Sequence, residues 1–136
     1  MNQVQPKPHE LHVEQFSEAI VIRPEGACDR ECAEALDGLV SRIEGEPQKN
    51  VILDASRLRY IETPGFRWII EQFRKLQDRG GSLVIAGLKG SAERAFRLLQ
   101  LDKFIPAAST VEAALARIRR SREERWSRSV KTGTED

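Results

Sequence analysis

The sequence predicts an α/β fold in which a mixed sheet of about four to five strands packs against about four helices. Two continuous apolar runs, VILDA at 51–55 and SLVIAG at 82–87, have the length and composition of strands buried on both faces. Segments with apolar side chains at helical spacing alternate with these runs. Because such an alternation requires crossover connections, we expect an α/β sheet with helices packed on it.

The first half of the chain predicts an arm, a pair of strands and a helix. Residues 1–8 are polar with two prolines and are expected to form a flexible arm. Segments 11–16 (LHVEQF) and 19–25 (AIVIRPE) are short and β-rich, which indicates two strands joined by a turn. The following GACD breaks this pattern. A helix is predicted from Arg30 and is expected to end at Gly45.

The second half predicts three helices and two further strands. After the strand at 51–55, they are expected in the order helix 64–78, strand 82–87, helix 91–101, short strand 104–108 and a final helix from Thr110. The domain is therefore predicted to span 9–118, followed by a basic helical extension and tail at 119–136.

Length and composition fit one domain of a soluble globular protein. The chain has 136 residues, of which 40% are hydrophobic and 32% are charged. With a formal net charge of +1 and basic residues interleaved with acidic ones, direct nucleic-acid binding is not expected. No apolar run approaches the ~18 residues of a membrane span, and MNQVQPKPHE lacks the apolar core of a signal peptide. We therefore expect a cytoplasmic protein.

The basic extension has two interpretations. Between Arg117 and Lys131 the chain carries seven basic and two acidic residues. Such a helix can bind an anionic partner or a membrane surface, or it can be a solvated helix end whose cations complement the helix dipole. Trp126 within it is an aromatic side chain that needs a place to bury its ring.

No catalytic, metal or cofactor site is expected. Cys28 and Cys32 could be combined with His9 and His12 into four metal ligands, but their spacing matches no recurrent zinc motif. Two cysteines four apart on one helix also rarely meet disulfide geometry, so small buried thiols are favoured. No Ser or Cys has a visible base partner. The GLKGS segment at 87–91 lacks the spacing of a phosphate-binding loop, so we do not expect an enzyme.

The corner ETPG at 62–65 allows a structural and a functional interpretation. Thr63 as N-cap before Pro64 is a common helix start, and such a cap stabilises by about 1 kcal/mol. The same helix end presents free N–H groups, which would tolerate a phosphate on Thr63. Phosphorylation would add nearly two negative charges beside Glu62 and would repel an acidic partner. Thr63 is thus either a cap or an off-switch for binding.

Trp68 is predicted to lie away from the core-facing stripe of the helix that follows. That stripe contains Phe66, Ile69, Ile70, Phe73 and Leu76. Trp68 is two residues past Phe66 and so about 200° away, beside Gln72 and Lys75. It is a candidate interface anchor, and the alternative is that a neighbouring loop or the C-terminal tail covers it.

Taken together, VILDASRLRYIETPGFRWIIEQFRKLQDRGGSLVIAGL resembles the core of a STAS domain, the fold of bacterial anti-sigma factor antagonists. In that family an apolar strand ends in Asp, a short link follows, Asp-Ser-Ser-Gly opens a helix, and Arg/Lys-Gly-Gly precedes a second apolar strand. Here Asp54 closes the strand and ETPG stands where Asp-Ser-Ser-Gly would. PEGACD resembles the family's Gly-x-Leu-Asp turn, with Gly26 and Asp29 in register and Cys28 in place of Leu. AERAFRLLQLDKFIPAASTVEAALARI resembles its ending, so the likeness covers 11–118.

The resemblance implies a phosphorylation switch. In the family, the first Ser of the motif is phosphorylated by a Ser/Thr kinase of histidine-kinase-like fold that is itself the anti-sigma factor, and a Ser/Thr phosphatase reverses the modification. That position is Thr63 here, with Glu62 in place of Asp and Pro64 in place of the second Ser. The expected partner-binding residues are Gly26, Asp29, Asp54, Glu62, Pro64, Gly65 and Trp68.

The resemblance also leaves a second function open. STAS domains serve as cytoplasmic accessory subunits of lipid-type ABC transporters, and some of these have Thr-x-Gly at the same corner. In such a subunit Thr63 would be a contact or a cap. Membrane contact is expected only in this case, where the basic tail with Trp126 suits a membrane-proximal position.

Overall fold

The computed structural model describes residues 11–43 and 50–134. The predicted arm 1–8, His9 and the expected helix-ending Gly45 lie outside these ranges. The strands are β1 (His12–Gln15), β2 (Ile20–Arg23), β3 (Gly26–Cys28), β4 (Asn50–Asp54), β5 (Leu58–Ile61), β6 (Ser82–Ala86) and β7 (Ala107–Ala108). The helices are α1 (Arg30–Ile43), α2 (Thr63–Asp78), α3 (Gly90–Leu98) and α4 (Val111–Thr134), with a 3-10 turn at Leu101–Lys103. The predicted α/β class is confirmed.

A five-stranded mixed sheet forms the centre of the fold, in the order β1-β2-β4-β6-β7. The predicted pair β1 and β2 is antiparallel, whereas β2, β4, β6 and β7 run parallel. Every residue of β4 is buried, as its continuous apolar run predicts. The sheet therefore has helices on both faces.

Alternate residues of the strands enter two separate cores. One core contains Ile22, Leu53 and Ile85, together with side chains of α1, α2 and α3. The other contains Val21, Ile52 and Val84, which pack against α4. Because successive strand side chains point to opposite faces, this alternation fixes the register of the central strands.

A second sheet of two strands was not predicted. β3 and β5 pair in parallel beside the main sheet. β3 is the GACD segment that was expected to break the β pattern, and β5 lies in the expected link between the strand at 51–55 and α2. Both strands are short, and β5 is buried only at its two ends, so neither has the apolar run or the alternation that identifies a strand in the sequence.

α4 continues well beyond the sheet. The first part of α4 packs on the sheet through the buried side chains of Ala114, Leu115 and Ile118. The described side chains after Ile118 are exposed. Arg119 Nε donates a 2.7 Å hydrogen bond to Glu18 Oε2 in the turn between β1 and β2, and this bond lowers the pKa of the Glu18 carboxyl. The predicted helical extension is thus present up to Thr134, with Trp126 exposed on it. Across the described ranges, no helix combines the length and hydropathy that crossing a bilayer requires.

Removing side-chain volume from β4 should destabilise the protein. Leu53 is fully buried in the central strand, so Leu53→Ala should lower the free energy of unfolding by about 2–5 kcal/mol. Leu98 has the same side chain at 82% exposure, and Leu98→Ala should change it by less than about 0.5 kcal/mol. Urea unfolding of both variants measures the difference. An equal decrease in the free energy of unfolding for the two variants would contradict the central position of β4.

Candidate functional site at the start of helix α2

α2 begins at a backbone junction with β3. The Glu62 N–H donates a 2.9 Å hydrogen bond to the Cys28 carbonyl, and the Glu62 carbonyl accepts the first helical bond from the Phe66 N–H at 3.1 Å. Glu62 is therefore the N-cap residue, with extended backbone. The prediction that Thr63 is the N-cap is wrong, because the helix starts one residue earlier and Thr63 is its first helical residue.

The Thr63 side chain is exposed at this helix end. Within the described part of the chain, no hydrogen bond engages its hydroxyl, and the Glu62 side chain caps nothing. Pro64 follows and has no N–H to leave unsatisfied. The hydroxyl is therefore available to a modifying enzyme or a partner, and the free N–H groups of the first turn favour negative charge beside it.

Gly65 is required by a close approach to β3. A Cβ at this position would lie 2.5 Å from the Cys28 carbonyl oxygen, 2.8 Å from Cys28 Sγ and 2.9 Å from Ile61 Cγ2. Gly65 is buried, so it supports the corner and is not itself an exposed contact. Its lack of a side chain lets the first turn of α2 rest directly on the end of β3.

The Gly26–Asp29 turn lies against the corner. β3 pairs with β5 so that Cys28 is in register with Ile61, the residue before Glu62. Gly26 has φ +81°, which favours glycine, and its N–H donates to the Arg57 carbonyl at 3.1 Å. Asp29 Oδ1 accepts a 3.0 Å hydrogen bond from the Cys32 N–H and so caps α1.

Asp54 has a structural role at the end of β4. Its side chain is largely buried; Oδ2 accepts a 3.1 Å bond from Arg23 Nε and Oδ1 accepts a 3.0 Å bond from the Ser56 N–H. Arg23 also binds Glu14 at 2.9 Å, so the carboxylate is held inside a charged network. Asp54 therefore shapes the turn towards β5, and both of its carboxylate oxygens are hydrogen-bonded within the chain.

The prediction that Trp68 is exposed is wrong. Trp68 is 4% exposed and Gln72 beside it is 3% exposed, because α2 contacts α1 as well as β6 and so buries two of its sides. Trp68 belongs to the core that contains α1 and α2. Its Nε1 has no hydrogen-bond partner among the described residues. Trp68 is therefore excluded from the candidate surface.

The structure contains an apolar groove beside Thr63 that was not predicted from the sequence. It has a volume of about 570 Å³ and runs between the start of α2 and the end of α3. Its lining residues are Ile61, Glu62, Thr63, Pro64, Phe66, Ala95, Leu98 and Leu99. Leu98 is 82% and Leu99 55% exposed. The sequence does indicate that Leu98 is exposed. Leu98 follows the buried Phe96 by two residues and therefore lies about 200° around the helix from it.

No metal centre forms in the described ranges, where no three His, Cys, Asp or Glu side chains are grouped to hold an ion. The two cysteines are free thiols and both are buried. What the corner offers is an exposed hydroxyl, one carboxylate and an apolar groove side by side.

Replacing Gly65 should separate α2 from β3. Alanine favours a helix over glycine by about 1 kcal/mol, but its Cβ would overlap the Cys28 backbone oxygen, and such overpacking costs about 1–3 kcal/mol. Gly65→Ala should therefore lower the free energy of unfolding. Gly38→Ala is the matched control, since Gly38 is exposed within α1 with nothing within 4 Å of its built Cβ. That variant should gain about 0.4–1 kcal/mol. Urea unfolding compares them, and a stabilised Gly65→Ala would refute the close approach.

Comparisons with known proteins agree with this geometry. The STAS domain model matches residues 10–114. A protein of Bordetella bronchiseptica named as a candidate anti-sigma factor antagonist, BtrV, is 28% identical over 92 residues, which cover 68% of this chain and 79% of BtrV.

Two solved structures share the fold at lower identity. A candidate anti-sigma factor antagonist of Thermotoga maritima superposes with a TM-score of 0.75 at 16% identity, covering 80% of this chain and 94% of its own. An anti-sigma factor antagonist from Mycobacterium paratuberculosis gives 0.74 at 22% identity, covering 85% and 97%. At these identities the superpositions show the fold alone. The family match spans most of the described chain, and the protein therefore belongs to the STAS domain family.

Proposed function

We propose that this protein is an anti-sigma factor antagonist that acts as a phosphorylation-controlled binding switch in the cytoplasm. Unmodified, it binds a kinase-type anti-sigma factor, or a related Ser/Thr switch kinase of histidine-kinase-like fold, and so frees that protein's client. Phosphorylation of Thr63 ends the binding, and a Ser/Thr phosphatase restores it. The observation that carries the proposal is the exposed, unbonded Thr63 hydroxyl at the edge of an apolar groove.

The groove supplies the apolar part of the partner surface. Leu98 at the end of α3 and Leu99 directly after it have most of their surface in water, next to Pro64 at the start of α2. Burial of such apolar side chains in an interface contributes favourably to the binding free energy. The Glu62 carboxylate at the rim adds one negative charge beside the groove.

A phosphate on Thr63 would act on this surface without unfolding it. The start of α2 tolerates the added negative charge, because its first-turn N–H groups carry the positive end of the helix dipole. The same phosphate would stand beside Glu62 at the mouth of the groove, where it brings nearly two negative charges and a tightly held hydration shell. Binding would then require desolvating that charge, and each 1.4 kcal/mol of penalty weakens the affinity tenfold.

The relative from Bordetella supports this function through its name, and the match to the STAS domain model agrees with it. The alternative, an accessory subunit of a lipid-type ABC transporter, would use the same corner as a constitutive contact. It gains support only if Thr63 is never modified and a permease complex binds the protein.

Phosphorylation should be confined to Thr63. Incubation of the purified protein with ATP and a candidate switch kinase should add one phosphate, detected as intact mass. Thr63→Ala should remain unmodified, whereas Thr63→Ser should accept the phosphate because it keeps the hydroxyl. Ser56→Ala, in the neighbouring turn after β4, serves as the control and should be modified like the wild type. A phosphate retained by Thr63→Ala, or none on the wild type with a kinase that binds it, would reject the switch.

Truncating the groove should weaken partner binding while leaving the fold intact. Leu98→Ala and Leu99→Ala each remove an exposed apolar side chain and should raise the dissociation constant of the kinase complex about tenfold. Val13→Ala removes a partly exposed side chain from β1 and should have no effect. Isothermal titration calorimetry with each variant measures the affinity. Equal affinity of all three variants would move the partner surface away from α3.

A further inference from the structure

The outer edge of β1 carries backbone groups that no neighbouring strand uses. β1 is the first of the five strands in the main sheet and, over the described ranges, it pairs with β2 alone. All four of its residues are exposed, and its register with β2 runs without a bulge. Edge strands are commonly protected from further pairing by a bulge, a proline or a lysine, and β1 (HVEQ) has none of these. This edge can therefore accept another strand.

The hydrogen bond next to the turn between β1 and β2 shows which backbone groups face outward. The Phe16 N–H donates to the Ala19 carbonyl at 2.9 Å, so the backbone of Phe16 points towards β2. Along an antiparallel strand, consecutive residues direct their N–H and C=O groups to alternate sides. Glu14 therefore also bonds towards β2, whereas Val13 and Gln15 present both groups at the free edge.

We infer that two copies of this chain associate through β1, which pairs antiparallel with β1 of the second copy. The twofold axis that relates the copies stands perpendicular to the sheet, because only then do the two β1 strands lie side by side in antiparallel orientation. With the axis at Val13, the two Val13 residues face each other and exchange both N–H···O=C bonds. Gln15 of each copy exchanges the same bonds with Leu11 of the other, and the two main sheets become continuous.

The side chains of β1 are complementary to their own copies in this register. His12 lies opposite Glu14 of the second copy, and Glu14 lies opposite His12 of the second copy. These residues form pairs without backbone bonds between them, in which the Cα atoms are about 4.5 Å apart and the side chains interact. Within each chain, His12 Nε2 is 3.3 Å from Glu25 Oε2, and Arg23 Nη1 is 2.9 Å from Glu14 Oε1. The row Glu25, His12, Glu14, Arg23 across the joined edge therefore alternates acidic and basic groups.

Moving the axis from Val13 to Glu14 removes this complementarity. The two Glu14 carboxylates would then lie opposite each other, and like charges in that position are destabilising. With the axis at Val13, by contrast, two side chains that are each 46% exposed bury one another at the centre of the pairing. Only one short strand of each chain takes part, so the dimer is expected to be transient and to form at high micromolar concentration. β1 shares no residue with the corner or the groove, so the inference does not rest on the proposed function.

Sedimentation velocity tests the association. Between about 10 and about 500 μM, the weight-average mass of the full chain should rise from the monomer mass towards twice that value. Val13→Pro removes the central N–H at the free edge and none that points to β2, so this variant should remain folded and monomeric. Val13→Thr is the matched control, because it keeps the N–H and a β-branched side chain, and its affinity should stay within about threefold of the wild type. A wild type that stays at the monomer mass throughout, or a folded Val13→Pro that dimerises like it, would overturn the inference.

Amide hydrogen exchange of the wild type, followed by NMR, tests the register even if Val13→Pro fails to fold. The Val13 and Gln15 amides should exchange about threefold more slowly at about 500 μM than at about 10 μM, because the second copy protects them. The Glu14 amide is the internal control, since its bond towards β2 protects it equally at both concentrations. Concentration-independent exchange at Val13 and Gln15 would overturn the inference, even if other amides slow. Neither experiment uses a kinase, so its failure is separate from a failure of the proposed function.

Discussion

The hydrogen bond from the Glu62 N–H to the Cys28 carbonyl joins the two loops that form the candidate surface. It adds to the short pairing of β3 with β5 and to the close approach of Gly65 to Cys28. Gly65 makes this bond possible, because any side chain there would push α2 off the end of β3. The exposure of Thr63 follows from the same constraint: the helix is held at its cap, and its first residue is left facing solvent.

The fold gives different roles to the three acidic residues expected at the site. Asp29 and Asp54 are both engaged by the chain itself, one as the cap of α1 and one in the network with Arg23 and Ser56. Glu62 is exposed and caps nothing. Of the three acidic residues expected at the site, Glu62 is therefore the one with a carboxylate free to meet a partner.

The composition of a segment reveals its structure only as far as the surroundings of that segment constrain its residues. β4 and β6 were predictable because a strand buried on both faces must be apolar throughout. β3 and β5 were missed because they are short, and β5 exposes its middle residues. Helical spacing correctly identified the core-facing residues Phe66 and Ile69, but it could not reveal that α2 packs against α1 as well as against the sheet and that Trp68 is buried. Leu98 lies about 200° around α3 from the buried Phe96, so helical spacing predicts its exposure.

The extension of α4 gives the molecule an uneven distribution of charge. Residues 117–131 carry seven basic and two acidic side chains, whereas 1–116 carry 15 basic and 17 acidic ones. α4 packs on one face of the main sheet, and α2 with Thr63 packs on the other. The protein therefore has an electric dipole although its net charge is close to zero. An approaching charged molecule exerts a torque on this dipole and turns the protein. The molecule therefore meets one face of the sheet more often than the other, and added salt weakens this orientation.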